Sequence, residues 1–286
     1  MKQMKVTKLI DSWQGLKFPE SPRWHEGKLW FLDIHDHSIK RADINGVLET
    51  VLELPFLPNS LGFMPDGNMF FGDALQRRIY IWNGREYKQW VDISSLAKNC
   101  LSDGIADSLG RIYVGDIGYD FLAGEELAPE GVIVLVGTEG QAAIVAEKLT
   151  FPNGMVITPD GKTLIVAETY AHRLIAFDIQ EDGKLDNRRI FAEFNEDITP
   201  DGICLDADGA IWVATVGSSV VRVREGGEIT HQVVHEDGSY AVMLGGPDRK
   251  NLFICISRSH DPKEVHQNPS ARIEFVKTDV AGAGIP

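Results

Sequence analysis

The chain is short of several things at once. Its 286 residues include only three cysteines, Cys100, Cys204 and Cys255. An odd, widely spaced set builds no disulfide framework and contains no Cys-x-x-Cys pair; reduced thiols in a cytoplasmic protein are the expectation. No run of eighteen apolar residues occurs, so no helical membrane span is predicted. The opening Met1-Lys-Gln-Met-Lys-Val-Thr-Lys-Leu-Ile lacks the apolar region and cleavage site of a secretory leader, and there is no Asn-x-Ser/Thr acceptor with an allowed middle residue. Positive charge is scarce: 28 Lys and Arg stand against 42 Asp and Glu, a net of −14. That balance makes nucleic acid and anionic membranes poor partners and leaves a small molecule as the expected ligand. A Ser-His-Asp elbow and a phosphate loop are missing too.

What is present is a repeat. Asp201-Gly-Ile-Cys-Leu-Asp-Ala-Asp-Gly-Ala-Ile-Trp-Val-Ala-Thr has variants beginning at Glu20, Leu61, Asp103 and Asn153, and a degenerate sixth near Tyr240. Each copy is an alternating apolar run, a turn that is usually Asp-Gly, and a second apolar run rich in aromatic and β-branched residues. This pattern predicts a β-hairpin. The bulky markers of the second run, Trp30, Phe70, Tyr113, Ile165, Trp212 and Phe253, recur at steps of 40 to 52 residues. That is the length of one four-stranded propeller blade. Third strands are legible at Ser38, Arg78, Gly131, Arg173, Val220 and Arg272. The chain therefore reads as all-β, a six-bladed β-propeller of four-stranded blades in a single domain spanning residues 1–286. Ring closure protects sheet edges, and Val6 to Gln14 is expected to pair with the last blade and latch the ring. Ser257 to Asn268, polar and carrying two prolines nearby, is expected to be a long exposed loop.

In a propeller the first strand of each blade lines the central channel, so equivalent residues converge. The first residues of the copies are Glu20, Leu61, Asp103, Asn153 and Asp201, with the sixth falling around Ala241. Four of them offer a carboxylate or an amide oxygen. Buried acids repel one another and lose hydration, and a bound cation relieves both costs. An all-oxygen set suits calcium best, with magnesium or manganese next and zinc still compatible. Asp206-Ala-Asp-Gly imitates the start of an EF-hand loop but lacks the later acids and the closing Glu, so it reads as a hairpin turn. His35, His37 and His172 read as turn residues. Asp116 and Glu168, at the ends of second strands, read as turn caps.

Phe18-Pro-Glu-Ser-Pro-Arg-Trp, Ser102-Asp-Gly-Ile-Ala-Asp, Phe151-Pro-Asn-Gly-Met, Thr199-Pro-Asp-Gly-Ile and Gly245-Gly-Pro-Asp together resemble the SMP-30/gluconolactonase (regucalcin-like) family. The resemblance covers essentially the whole chain. It implies a six-bladed propeller with one catalytic divalent ion that hydrolyses lactones. By position it implies Glu20, Asn153 and Asp201 as metal ligands, Asp201 also as the acid/base, and Asp103 beside the ion's water or the substrate. Sugar-lactonase members carry Arg and then Asn where this chain has Cys100 and Ser102, and a Glu that helps hold the sugar aligns with Asp120. Loss of a forked cationic donor predicts a substrate less polar than a sugar lactone, contacted by Cys100, Ser102, Asp103 and Asp120. Three function classes stay open at this point. One is a metal-dependent lactonase or esterase. Another is different chemistry on the same ion, such as phosphotriester hydrolysis, a lyase or an isomerase step. The third is a non-catalytic calcium-binding propeller.

Overall fold

The computed structural model describes residues 2–5, 15–119 and 128–284. Six sheets form the ring. Blade one consists of strands Pro19–His25, Lys28–Asp33, Ser38–Ala42 and Leu48–Glu53, each antiparallel to the next. Blades two, three and four repeat that order from Pro58, Leu101 and Pro152. Blade five begins with Ile203–Leu205, and blade six has three described strands, Gly238–Gly245, Asn251–Ser257 and Arg272–Lys277. All six expected third strands are found within one residue of their predicted starts. The hairpin chemistry is visible in blade five. Gly209 takes φ +77°, while Asp206 Oδ1 accepts the amides of Asp208 and Ala210 at 3.0 and 3.1 Å. Asp206 is thus a turn residue, and Arg222 occupies its other oxygen at 2.6 Å.

Apolar side chains fill the six interfaces between neighbouring blades, one cluster at each. The clusters hold fully buried residues such as Phe31, Phe71, Leu164 and Ile254, each contributing about 1.5–3 kcal/mol by burial. Closure between blades six and one rests on Trp24 stacked against Phe253 at 5.6 Å. Gly245 makes room for it: a Cβ there would lie 2.6 Å from Trp24 Cδ2. Gly245→Ala is expected to cost about 1–3 kcal/mol of overpacking strain, read as a lower urea midpoint with an unchanged slope.

Val6 to Gln14, the expected latch, lie outside the described residues. Lys2–Lys5 pairs in parallel with Ile229–Val234, on the outer edge of blade five. Leu16 bridges Ala271 at the start of the last strand of blade six. One difference from expectation is the segment after Ser257, which holds the helix Pro262–Gln267. Asp261 caps it by accepting the Lys263 amide at 2.8 Å, with Pro262 at the first turn. This Asp-Pro start is a helix signal in its own right, and Val265 is buried beneath it. Among the described residues no helix is long and apolar enough to cross a membrane.

Candidate active site at the mouth of the central channel

Five of the six inner strands carry a β-bulge just after their entry into the sheet, at Glu20/Arg23, Asn59/Gly62, Leu101/Gly104, Pro152/Met155 and Ser239/Ala241. The bulge carries the same single extra residue in each of these blades, so the ladder fixes which residues correspond. Pro19 pairs with Asp33, Pro58 with Asp73, Leu101 with Asp116 and Pro152 with Glu168. The next residues are Glu20, Asn59, Ser102 and Asn153, joined by Asp201 and Tyr240 from blades five and six. Leu61, Asp103 and Ala241 are therefore not the counterparts of Glu20; Asn59, Ser102 and Tyr240 are. All six true counterparts line one cavity of about 320 Å³, and each carries a side-chain oxygen. Asp103 sits one residue further in, at the register of Ser21 and Gly154, and lines the same cavity.

The local chemistry of the ring follows from the bulge. Ser21 and Ser60 adopt φ +46° and +61°, turning their amides back onto the preceding side chain. Glu20 Oε2 and Asn59 Oδ1 each accept such an amide at 2.9 Å. Asn59 Nδ2 donates to Leu101 O at 2.9 Å, and Ser102 Oγ donates to Pro152 O at 2.6 Å. Asn153 Nδ2 lies 3.3 Å from Thr169 Oγ1 and also donates to the Asp201 carboxyl. Cys100 Sγ faces Leu101 O at 3.4 Å. Asp120 lies outside the described residues.

Burial pushes Glu20 up to about 8, opposed by the Ser21 amide, reinforced by the Asp103 charge and eased by Arg23. Asp201 is held well above the usual carboxylate range, first by burial and then by the charges of Glu20 and Asp103. Arg23 is the one cation in the cavity wall among the described residues. Its guanidinium is buried and donates to Asp103 Oδ1 at 2.7 Å and Gly104 O at 2.9 Å from Nη2, and to Pro22 O at 2.9 Å from Nη1. Sequence reading assigned Arg23 no role, because its partner is 80 residues away. Among the described residues no three His, Cys, Asp or Glu side chains cluster as a metal cage on their own. What converges is the Glu20 and Asp201 carboxyls with the Asn153 amide.

The walls above this ring are apolar and aromatic. His35 lines the cavity, its ring stacked on Phe18 at 5.2 Å and its Nε2 2.9 Å from His260 O. His260 and Pro262 also line it, so the segment between the second and third strands of blade six borders the cavity and is more than an exposed loop. His37 is exposed and His172 hydrogen-bonds Ile198 O at 2.9 Å. Asp116 and Glu168 cap turns as expected, accepting the amides of Asn99 and Thr150 at 2.8 Å each. A wider groove of about 710 Å³ lies outside the ring between blades three and four, lined by turn residues such as Asp160 and Gly161; its buried acid, Asp107, is already paired with Arg111 Nε at 2.6 Å.

Fold and site together define a six-bladed propeller with two neighbouring carboxyls, Asp201 buried and Glu20 half-buried, and an amide at one mouth of its channel. The chain belongs to the SMP-30/gluconolactonase/LRE-like family, whose model matches residues 18–258. It is 27% identical over 260 residues to pentonolactonase XacC of Haloferax volcanii, covering 88% of this chain and 84% of that one. It is 27% identical over 287 residues to regucalcin of Oryctolagus cuniculus, covering 93% and 92%. A solved calcium-binding protein, regucalcin, from Agrobacterium tumefaciens aligns with a TM-score of 0.80 at 21% identity, over 99% of this chain and 97% of that one; at that identity the likeness speaks for the fold alone.

Proposed function

We propose that this protein is a divalent-metal-dependent hydrolase, a lactonase, acting on a substrate less polar than a sugar lactone. The observation that carries the reading is the juxtaposition of Glu20, Asn153 and Asp201 on the floor of an apolar cavity. The donor chemistry fits a hard cation, calcium first. Two carboxylates and a neutral amide supply oxygen only, and burial together with neighbouring negative charge, Asp103 for Glu20 and Glu20 with Asp103 for Asp201, disfavours both acids as bare anions. The lactonase name of a relative covering most of this chain supports the reaction class.

When bound, the ion supplies polarisation of the substrate carbonyl and charge stabilisation as the carbonyl is attacked. Asp201 orients a water and takes its proton, then returns a proton to the leaving alkoxide. The Asn153 amide donates to the Asp201 carboxyl and keeps the donor set less negative. Glu20 is held by its own backbone at Ser21. Arg23 fixes Asp103 and offsets its charge, leaving Glu20 and Asp201 to match a dication. The apolar walls limit bulk water at the reacting carbonyl.

Initial rates on lactones, aryl esters and phosphotriesters, with EDTA and with each of calcium, magnesium, manganese and zinc, test the reading. Lactone turnover restored by a dication is expected; a rate indifferent to EDTA and to added metal overturns it.

A pH dependence follows with a definite sign. Glu20 has its folded-state value raised from 4.5 to about 8, so the metal-free folded protein holds more protons than the unfolded chain across that window. Stability of the metal-free protein is therefore greatest below about 4.5 as far as this group is concerned, and falls as pH rises toward 8. A dication that holds the carboxylate ionised removes that slope. Melting temperatures at several pH values, with EDTA and with saturating calcium, are expected to diverge increasingly toward pH 8.

A further inference from the structure

The residue before each of the ladder pairs at the mouth occupies one more equivalent ring, and in blades one to four it is Phe18, Leu57, Cys100 and Phe151. The backbone shows that the four are equivalent. Ile34, Ala74, Ile117 and Thr169, each just after the acid that ends a second strand, donate their amides to the carbonyls of Phe18, Leu57, Cys100 and Phe151 at 2.9 to 3.1 Å. All four side chains line the cavity above Glu20 and Asp201. Three of the buried end-of-strand acids clamp the collar directly: Asp33 accepts the Phe18 amide at 2.7 Å, and Asp116 and Glu168 accept the amides next to Cys100 and Phe151.

Phe151 is the telling member. It holds φ +55°, a left-handed conformation that a bulky residue rarely adopts and that marks functional sites when retained. Its ring meets Tyr119 and Tyr170 edge-on at 5.9 and 5.3 Å, so the collar opens into an aromatic corner. Across the cavity Phe18 meets Tyr240 edge-on at 4.8 Å.

Several polar groups of the wall point the same way. Both ends of the Asn59 amide, the Ser102 hydroxyl hydrogen and His35 Nε2 are all engaged by the protein itself. Arg23 is taken up by Asp103. A polyhydroxylated ring entering here leaves hydroxyls without partners, which a site rejects strongly, whereas a flat apolar group meets matching surface.

We propose that the Phe18, Leu57, Cys100 and Phe151 collar is a specificity ring, and that the substrate class is an uncharged lactone bearing an apolar substituent of aryl size. This rests on the lactone-hydrolase reading above and names what that site selects.

The test compares γ-phenyl-γ-butyrolactone, γ-butyrolactone and glucono-δ-lactone, with the slowly hydrolysed γ-phenyl-γ-butyrolactam as a binding probe by calorimetry. The metal-loaded protein is expected to favour the phenyl lactone over glucono-δ-lactone by about 100-fold in kcat/KM. Phe151→Gly, which relieves the backbone rather than straining it, is expected to lose about tenfold more on the phenyl lactone than on γ-butyrolactone, mostly in KM. Cys100→Arg is expected to move the phenyl-to-glucono ratio about tenfold toward the sugar. Glucono-δ-lactone turned over as well as the phenyl lactone, or equal losses on both lactones in Phe151→Gly, overturns the proposal. If no lactone is hydrolysed, the lactam decides. Binding that Phe151→Gly weakens about tenfold upholds the collar while the hydrolase reading falls, and no binding overturns the collar as well.

Discussion

Replacing Asp201 with Asn is expected to cut turnover by about 10²–10⁴-fold, the usual contribution of a positioned acid/base group, while making the metal-free protein more stable. The two effects share one cause. Asp201 is buried and stands in the field of Glu20 and Asp103, so in the absence of a cation its charge is a liability. Asn keeps the shape and removes the charge, and it removes a ligand oxygen of full charge at the same time. The EDTA-treated variant is expected to melt higher than the EDTA-treated parent, and the calcium-induced rise in melting temperature to shrink or vanish. Rates, calcium titrations and melts on one preparation read all three. A fully active Asp201→Asn enzyme sinks the assigned role. A variant that is inactive yet keeps the parent's calcium response separates acid/base work from metal binding and removes Asp201 from the ligand set.

Arg23→Met is expected to be the most destabilising single change in the site, costing about 3–5 kcal/mol because it strands a buried carboxylate. Arg23 and Asp103 side chains are 6% and 10% exposed, so solvent does little to replace the lost partner. The guanidinium also satisfies the Pro22 and Gly104 carbonyls, which Met leaves open. The double variant Arg23→Met/Asp103→Asn removes both charges and is expected to recover most of the loss, since a neutral pair in a packed site is often no worse than the ion pair it replaces. Denaturant unfolding of the two single variants and the double variant gives the coupling directly. Additive losses show that the pair is two independent residues. A second consequence concerns Glu20, whose ionisation Arg23 favours; without that charge, proton release on calcium binding is expected to shift to still higher pH.

Much of the ring was legible because its signals are local. Asp-Gly turns, alternating apolar runs and bulky markers at blade spacing each depend on a few adjacent residues, and they located the hairpins and all six third strands. Asp206 was correctly read as a turn residue, since the missing later acids of an EF-hand are also a local fact. The Asp261-Pro262 helix start is equally local, but the polarity around it points to a loop. The register at the channel mouth was not legible. Blades three and four carry the same bulge, but Asp103 lies two residues past the Leu101 pair whereas Asn153 lies one past the Pro152 pair, so matching Asp103-Gly to Asn153-Gly slips the ladder by one residue. The ladder itself was needed to show Asn59, Ser102 and Tyr240 at the ring.

The sequence by itself determined the blades, their number and the concentration of oxygen-bearing residues near the entry of the inner strands, since turn chemistry and strand periodicity act over a few residues. Only the tertiary structure decided which residues face each other across the channel. Ring closure brings Arg23 to Asp103, Asn153 to Asp201 and His35 to His260, pairs separated by 80, 48 and 225 positions, and no local preference encodes such meetings. The apolar collar has the same origin. Phe18, Leu57 and Phe151 each precede a proline while Cys100 does not, and the four become one surface because four bulged strands present the same backbone position to the same cavity.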